Sequence, residues 1–285
     1  MAQAQQAIDL CNKAAELNYS QEIRNGNVIE LPAEGTLIVT GDLHGHRRNF
    51  ERITAYADLI NNPDTHLVFQ EILHGGADDG QGGCLSFEIL FDILKLRIQF
   101  PDRVHIIMGN HDTAIITDSD VLKAGREMNI ALKSGLKKHF GDYFEPVNEA
   151  IKEYLLSQPL AIKTDNKIWI SHSLPADRFV DDFDYDVLDA ILMPDDLLRP
   201  LPAYLLTWGR KHSDEKLEQM AKKLGIDNFI LGHQKQDTGV SRAGINAIIL
   251  TSEHNHGCLI ALDMSKSYSV EDLMDCVVPL ASIVS

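Results

Sequence analysis

The sequence predicts an α/β protein with a substantial central sheet. Three observations predict it. Short apolar runs such as Thr36–Thr40, Thr-Leu-Ile-Val-Thr, have the continuous character of strands buried on both faces. They alternate with longer stretches of helical periodicity, and polar clusters recur where the runs end. Residues 3–17 form an amphipathic helix, with Ala7, Leu10, Cys11, Ala14 and Leu17 on or near one face. Extended segments follow at Asn27–Leu31 and Thr36–Thr40, then a helix over Arg47–Asn61 and a strand over Thr65–Phe69. A glycine-rich loop, Gly75–Gly83, leads into the helical Cys84–Phe100, and the strand Arg103–Met108 stops at Gly109. Helices are predicted over Asp120–His139 and Glu145–Ser157, and strands over Leu160–Thr164 and Lys167–Ser171. The acidic, proline-punctuated Phe179–Tyr204 stretch fits neither period. Asp214–Leu224 reads as a helix, Phe229–Leu231 as a strand, and Ile245–Thr251 with Cys258–Asp263 as a strand pair.

No shift in composition marks a boundary. The expectation is one domain over residues 1–285: an N-terminal helix and extended segment (1–35), a core (36–263) and a C-terminal tail (264–285). Hydrophobic residues at 44% and charged residues at 24% suit a globular chain and exclude a disordered or fibrous one. No apolar run approaches the ~18–20 residues of a membrane helix. The N-terminus lacks the basic and apolar regions of a secretory signal. Cys11, Cys84, Cys258 and Cys276 are scattered without C-x-x-C spacing, so a reducing cytoplasm is the expected setting. The 42 acidic residues outnumber 26 basic ones, a formal net charge of −16 that disfavours generic binding to nucleic acid or anionic membranes.

Five polar clusters stand at predicted strand ends: Gly41-Asp42-Leu43-His44-Gly45-His46, Gln70-Glu71-Ile72-Leu73-His74-Gly75-Gly76, Gly109-Asn110-His111-Asp112, Ser171-His172-Ser173 and Gly232-His233-Gln234. Loops at the carboxyl ends of strands leave an α/β sheet together, which is where ligand sites form. Any one cluster alone is more often a turn or a hydrogen-bonded histidine at a sheet edge than a ligand site. Five at separate strand ends point to convergence on one site.

The clusters resemble, in order, the motifs of the calcineurin-like metallophosphoesterases, and especially of their serine/threonine phosphoprotein phosphatase branch. That family runs Gly-Asp-x-His-Gly, Gly-Asp-x-x-Asp-Arg-Gly, Gly-Asn-His-Glu/Asp, a metal histidine, and a last histidine before glutamine. The likeness extends over about Thr36–Asp263, and Leu90–Asp112 is similar to the branch's helix, proline turn and strand. It implies a four-layer αββα sandwich. It further implies that Asp42 and His44 hold one metal, that Asn110, His172 and His233 hold a second, and that His111 is the general acid. Carboxylate, amide and imidazole donors together suit Mn, Fe or Zn. Two such ions ~3.5–4 Å apart stabilise both the attacking and leaving oxygens of an in-line displacement, and a metal can lower the pKa of bound water to about 7.

The second motif departs from the family. A gapless match puts Glu71 at the bridging aspartate, His74 at the aspartate that orients the general acid, and Gly75 at the phosphate-gripping arginine. Shifting the match onto Asp78-Asp79-Gly80 would put glycine at the bridge, where it has no ligand atom. The catalytic candidates are thus His111, His74 and the adjacent Asp112; the metal candidates are Asp42, His44, Glu71, Asn110, His172 and His233. Arg210, in the segment Leu206–Arg210, and Arg48 are candidates to replace the missing arginine, with His254 and His256 of a later loop. Two divalent ions outweigh the formal charges of Asp42 and Glu71, so an acidic chain would hold a locally cationic site. The expected activity is dinuclear-metal hydrolysis of a phosphate monoester, on a phosphoprotein or a small phosphoester. The competing readings are a phosphodiesterase or dinucleoside polyphosphate hydrolase, and an inactive scaffold used for protein binding.

Overall fold

The structure, a computed structural model, describes residues 1–123 and 125–284. In chain order the elements are α1 (Ala2–Tyr19), β1 (Arg24–Asn25), β2 (Val28–Leu31), β3 (Thr36–Asp42), α2 (Arg47–Ala57), β4 (Thr65–Gln70), α3 (Ser86–Gln99), β5 (Val104–Ile107), α4 (Asn110–Ile116), β6 (Leu122–Lys123), β7 (Arg126–Glu127), α5 (Met128–Phe140), α6 (Phe144–Leu156), β8 (Ala161–Thr164) and β9 (Ile168–Ser171). There follow α7 (Asp177–Val180), α8 (Pro202–Trp208), α9 (Asp214–Leu224), β10 (Asn228–Leu231), β11 (Val240–Ala243), β12 (Ala247–Leu250), β13 (Cys258–Asp263), α10 (Val270–Asp275) and β14 (Val277–Pro279).

The strands form two main sheets rather than one, a five-stranded sheet ordered β14-β13-β3-β4-β5 and a seven-stranded sheet ordered β1-β2-β8-β9-β10-β12-β11. Successive side chains of a strand face opposite ways, and here each face meets an apolar layer. Leu37, Val39 and Val68 of the smaller sheet pack against Ile170, Ile230 and Ile248 of the larger one. Their neighbours Ile38, Leu67 and Phe69 turn outward onto helical residues such as Cys11, Phe87 and Ile151. On the far side, Phe229, Leu231 and Ile249 pack on Leu217, Met220 and Ala221 of α9. The order helix, sheet, sheet, helix is the four-layer αββα sandwich. Burial on both faces is why these strands read as unbroken apolar runs.

β3, β4 and β5 are parallel, as are β9, β10 and β12. Their carboxyl ends therefore emerge together within each sheet. The expected pairing of Ile245–Thr251 with Cys258–Asp263 does not occur: β12 pairs with β10 and β11, and β13 with β3 and β14. The chain between them crosses from one sheet to the other, anchored where Ser252 N donates to Asp42 O at 2.9 Å. The start of the expected Asp120–His139 helix is instead the β6–β7 hairpin, whose following helix is capped by Glu127 accepting from Asn129 N and Ile130 N. The 264–285 segment adds α10 and the edge strand β14. Among the described residues no helix is long and apolar enough to cross a membrane.

Candidate active site

The ends of β3, β4, β5, β9, β10 and β12 deliver side chains to a cleft of about 440 Å³. Asp42, His44, Glu71, Asn110, His111 and His233 line it, and His172 lies fully buried beneath, between Gln70 and Asn110. Two glycines let the segments approach. A Cβ on Gly41 would sit 2.2 Å from Leu250 O in the other sheet, and one on Gly232 would sit 2.4 Å from both Asp42 Oδ1 and Gln70 Oε1. His44, Glu71, His74 and His233 all have positive φ, at 42°, 42°, 69° and 66°. Such backbone conformations cost about 1–3 kcal/mol each in non-glycine residues and concentrate where function fixes them.

Buried polar groups hold the imidazoles. His44 Nδ1 lies 3.1 Å from the carbonyl oxygens of Leu73 and His74. Carbonyls only accept, so Nδ1 carries a proton, and Nε2 faces Glu71 Oε2 at 3.4 Å and Glu253 Oε2 at 3.6 Å. Gln70 Nε2 donates to Thr40 O at 2.8 Å, leaving its Oε1 to accept from His172 Nδ1 at 3.0 Å. The Nε2 lone pair of His172 then faces Asn110 Oδ1 at 2.9 Å and Glu71 Oε2 at 3.4 Å. Electron-pair donors crowded in this way, each held from behind by a second hydrogen bond, make a cation-binding arrangement. Two sets bring their ligand atoms within 4.8 Å of one another: His44, Glu71 and His111, and Asp42, Glu71 and His172. Glu71 belongs to both.

Burial holds His172 well below the ordinary imidazole pKa and, with Arg210 next in effect, brings His233 down to about 3. Both are neutral at physiological pH, the form that ligates metals. His233 N donates to Asp42 Oδ1 and Oδ2 at 3.0 and 3.1 Å. Its Nε2 accepts from Arg210 Nε at 2.9 Å, and its Nδ1 faces Asn110 Oδ1 at 2.8 Å. His111 N donates to Glu71 Oε1 at 2.8 Å, and the His74 and His111 rings are 4.8 Å apart between centroids.

Arg210 lines the cleft as expected. Four other expected residues do not line it. Asp112 is buried and its Oδ2 accepts from Gly109 N at 2.8 Å, capping α4; burial raises its pKa to about 7. Arg48 is exposed on α2 and does not line the cleft. His254 links two loops, with Nε2 on Gln236 O at 2.8 Å and Nδ1 accepting from His256 N at 3.1 Å; the exposed His256 lies outside the cleft with it. The residue of that run which does enter is Glu253. It follows a strand directly, so the strand-end pattern that marks the other clusters marks it too. Gln70 behind His172, and Trp208 and Lys235 at the cleft, also serve the site, and no motif position marks them for it.

A two-sheet α/β sandwich with acid, amide and imidazole donors gathered at the strand ends defines a metal-dependent hydrolase type of site. The family model of the calcineurin-like phosphoesterases matches residues 35–237, and the chain belongs to that family. Its curated relatives include the serine/threonine-protein phosphatase PP2A-like PPG1 of Saccharomyces cerevisiae, 28% identical over 39% of this chain and 26% of that protein. Another is the Shewanella-like protein phosphatase 1 of Plasmodium berghei, 22% identical over 71% of this chain and 62% of that one. The chain thus spans less than two thirds of the length of either. Among solved structures, a Saccharomyces cerevisiae protein serine/threonine phosphatase with similarity to human phosphatase PP5 aligns with TM-score 0.68 at 15% identity, covering 98% of this chain and 93% of that one. A cold-active protein-tyrosine phosphatase of a Shewanella species aligns with TM-score 0.61 at 17% identity over 86% of this chain and 80% of that one. These structures share the fold.

Proposed function

We propose that the protein hydrolyses phosphate monoesters, and that Asp42, His44, Glu71, Asn110, His172 and His233 hold a pair of divalent or trivalent ions such as Mn, Fe or Zn. The observation that carries this reading is the position of Glu71. Its Oε2 lies 3.4 Å from His44 Nε2 and 3.4 Å from His172 Nε2, between two histidines from different sheets. A carboxylate there can serve two ions at once, as the gapless match of the second motif implies. When bound, such a pair supplies Lewis acidity to phosphoryl oxygens and makes hydroxide available near neutral pH.

The remaining work falls to the chain's own groups. His111, at the cleft and packed on His74, donates a proton to the leaving oxygen, a step typically worth about 10²–10⁴-fold. Arg210 lines the cleft beside His233 and offers its guanidinium N–H groups to phosphate oxygens, in the role of the family's missing arginine. Lys235 adds a second cation at the same rim. Glu71 also fixes the start of α4 by accepting from His111 N, so the proton donor and the bridging carboxylate are held in one unit. The serine/threonine-protein phosphatase among the relatives makes phosphoserine and phosphothreonine residues the first substrates to test.

The test is metal analysis after reconstitution with manganese, alongside hydrolysis of p-nitrophenyl phosphate and its bis ester. Two equivalents of metal and a preference for the monoester are expected. Less than one equivalent would favour an inactive scaffold, and preference for the bis ester a diesterase.

A further inference from the structure

Beside the cleft, and sharing Trp208 and Arg210 with it, lies a second cavity of about 520 Å³. Its cations are Arg178, Arg199, Arg210 and Lys211, all exposed, and its single carboxylate is Asp177. Asp177 is occupied locally, accepting from Ser213 N at 2.9 Å. Among the described residues none of the four cations forms an ion pair with a carboxylate; Arg178 lies over the Phe179 ring at 4.6 Å, and Arg210 donates to His233. Four cations less one carboxylate leave the cavity lining with an excess of three positive charges, on a chain whose net charge is −16. Like charges gathered on one wall repel, and an anion from outside relieves that repulsion.

The cavity is built by the segments that build the active site. Residues 176–179 follow His172 by a short link, and residues 209–211 follow α8, whose last residue Trp208 walls the cleft. The two segments are locked together: Ser173 N donates to Leu206 O at 2.9 Å, Ser173 Oγ to Gly209 O at 2.6 Å, and His212 Nε2 to Leu174 O at 3.0 Å. A group seated among these cations is therefore held at a fixed place relative to a phosphate in the cleft. Tyr204 and Trp208 stack on each other, 5.3 Å apart and 10° from parallel, so a nucleobase cannot enter between these two rings. Open, dispersed cations suit the carboxylates of an extended chain.

We infer that this cavity receives acidic side chains flanking a phosphorylated residue, so that the preferred substrates are phosphoserine or phosphothreonine segments rich in Asp or Glu. The inference rests on the phosphomonoesterase reading of the neighbouring cleft. Surface ion pairs are individually weak, but three acting together give about a tenfold effect, and screening shrinks it as salt rises.

The experiment uses the full chain loaded with manganese and two sets of peptides of equal length, with glutamates or alanines beside a phosphoserine. One set is hydrolysable. The other carries a fluorescent label and a non-hydrolysable phosphonate, and its binding is read by anisotropy. The acidic phosphonate peptide should bind about tenfold tighter at 0.1 M salt, and its hydrolysable counterpart should have a correspondingly higher kcat/KM. The triple variant Arg178→Ala, Arg199→Ala, Lys211→Ala should abolish both differences while p-nitrophenyl phosphate is hydrolysed as before. Equal binding of the two peptides, or a preference that survives in the triple variant, overturns the inference. So does displacement of the acidic peptide by a nucleoside triphosphate at lower concentration than by unlabelled peptide. Charge-dependent binding lost in the triple variant, with no hydrolysis of any ester, supports the cavity and overturns the phosphomonoesterase reading.

Discussion

Glu71 and His111 touch through a backbone hydrogen bond but have separable tasks. Glu71→Gln keeps the size of the side chain and its acceptor for His111 N while removing the charge between His44 and His172. Both ions should loosen together, with metal content falling from two equivalents to one or fewer; two retained equivalents would remove Glu71 from the bridge. His111→Asn should instead leave metal content unchanged and lower kcat on p-nitrophenyl phosphate by about 10²-fold or more. That substrate has a good leaving group and understates the effect, so an alkyl phosphate is the sharper probe. Glu253, 3.6 Å from His44 Nε2 and largely buried, brings a third carboxylate to the same side. Glu253→Gln should weaken metal binding without changing fold, as read by metal titration.

At the scale of elements, most of the sandwich was legible because its strands are buried on both faces and its ligands sit at their ends. Thr36–Thr40 announces a strand by composition, and Asp42 and His44 follow within four residues. What escaped depends on partners that sequence does not name. β11, Val-Ser-Arg-Ala, is a half-exposed edge strand with no apolar run, and β14 is a three-residue edge. β12 and β13 look like a hairpin along the chain, yet each finds more strand surface in a different sheet. Asp112 follows the motif histidine, but its carboxylate is claimed by Gly109 N at the helix start, a contact three residues away. The amino ends of β4 and β5, remote from the cleft, offer a pH test. His66 Nδ1 and His105 Nε2 lie 3.1 Å apart, and His105 is further surrounded by Gln21 and Arg97. Burial first, then the Arg97 charge, holds His105 well below 6.5; burial and Arg103 also lower His66. Below pH 6.5 the unfolded chain therefore takes up protons that the folded chain refuses. The stability from this pair is present above that pH and is lost as pH falls, with a limiting slope of about 1.4 kcal/mol per pH unit for His105. Thermal midpoints measured between pH 7.5 and 5 should fall more steeply for the natural protein than for His105→Gln; parallel curves would count against it.

At the scale of the whole molecule, the site lies on the seam between the two sheets. Asp42, Glu71 and Asn110 come from the ends of the five-stranded sheet, His172 and His233 from those of the seven-stranded one. The crossing segment after β12 is tied to the five-stranded sheet, where Ser252 N donates to Asp42 O and Ser252 Oγ to Cys258 O. The seam gathers Asp42 and Glu71 with the imidazoles of His44 and His172 at 3.4–3.5 Å, which brings two carboxylates close together. In the proposed reading, ions bound there would join one sheet to the other and would bind the folded state only. Linkage then stabilises the protein by about 2.7 kcal/mol at a free metal concentration a hundred times Kd. For a chain of this size each kcal/mol moves the midpoint by about 2–4 °C. Manganese should therefore raise Tm by at least about 5 °C over protein stripped with chelator. Glu71→Gln should lose most of that rise, because its charge serves both halves of the seam, whereas His111→Asn should keep it. Equal midpoints with and without manganese would show that the donors at the seam do not share ions.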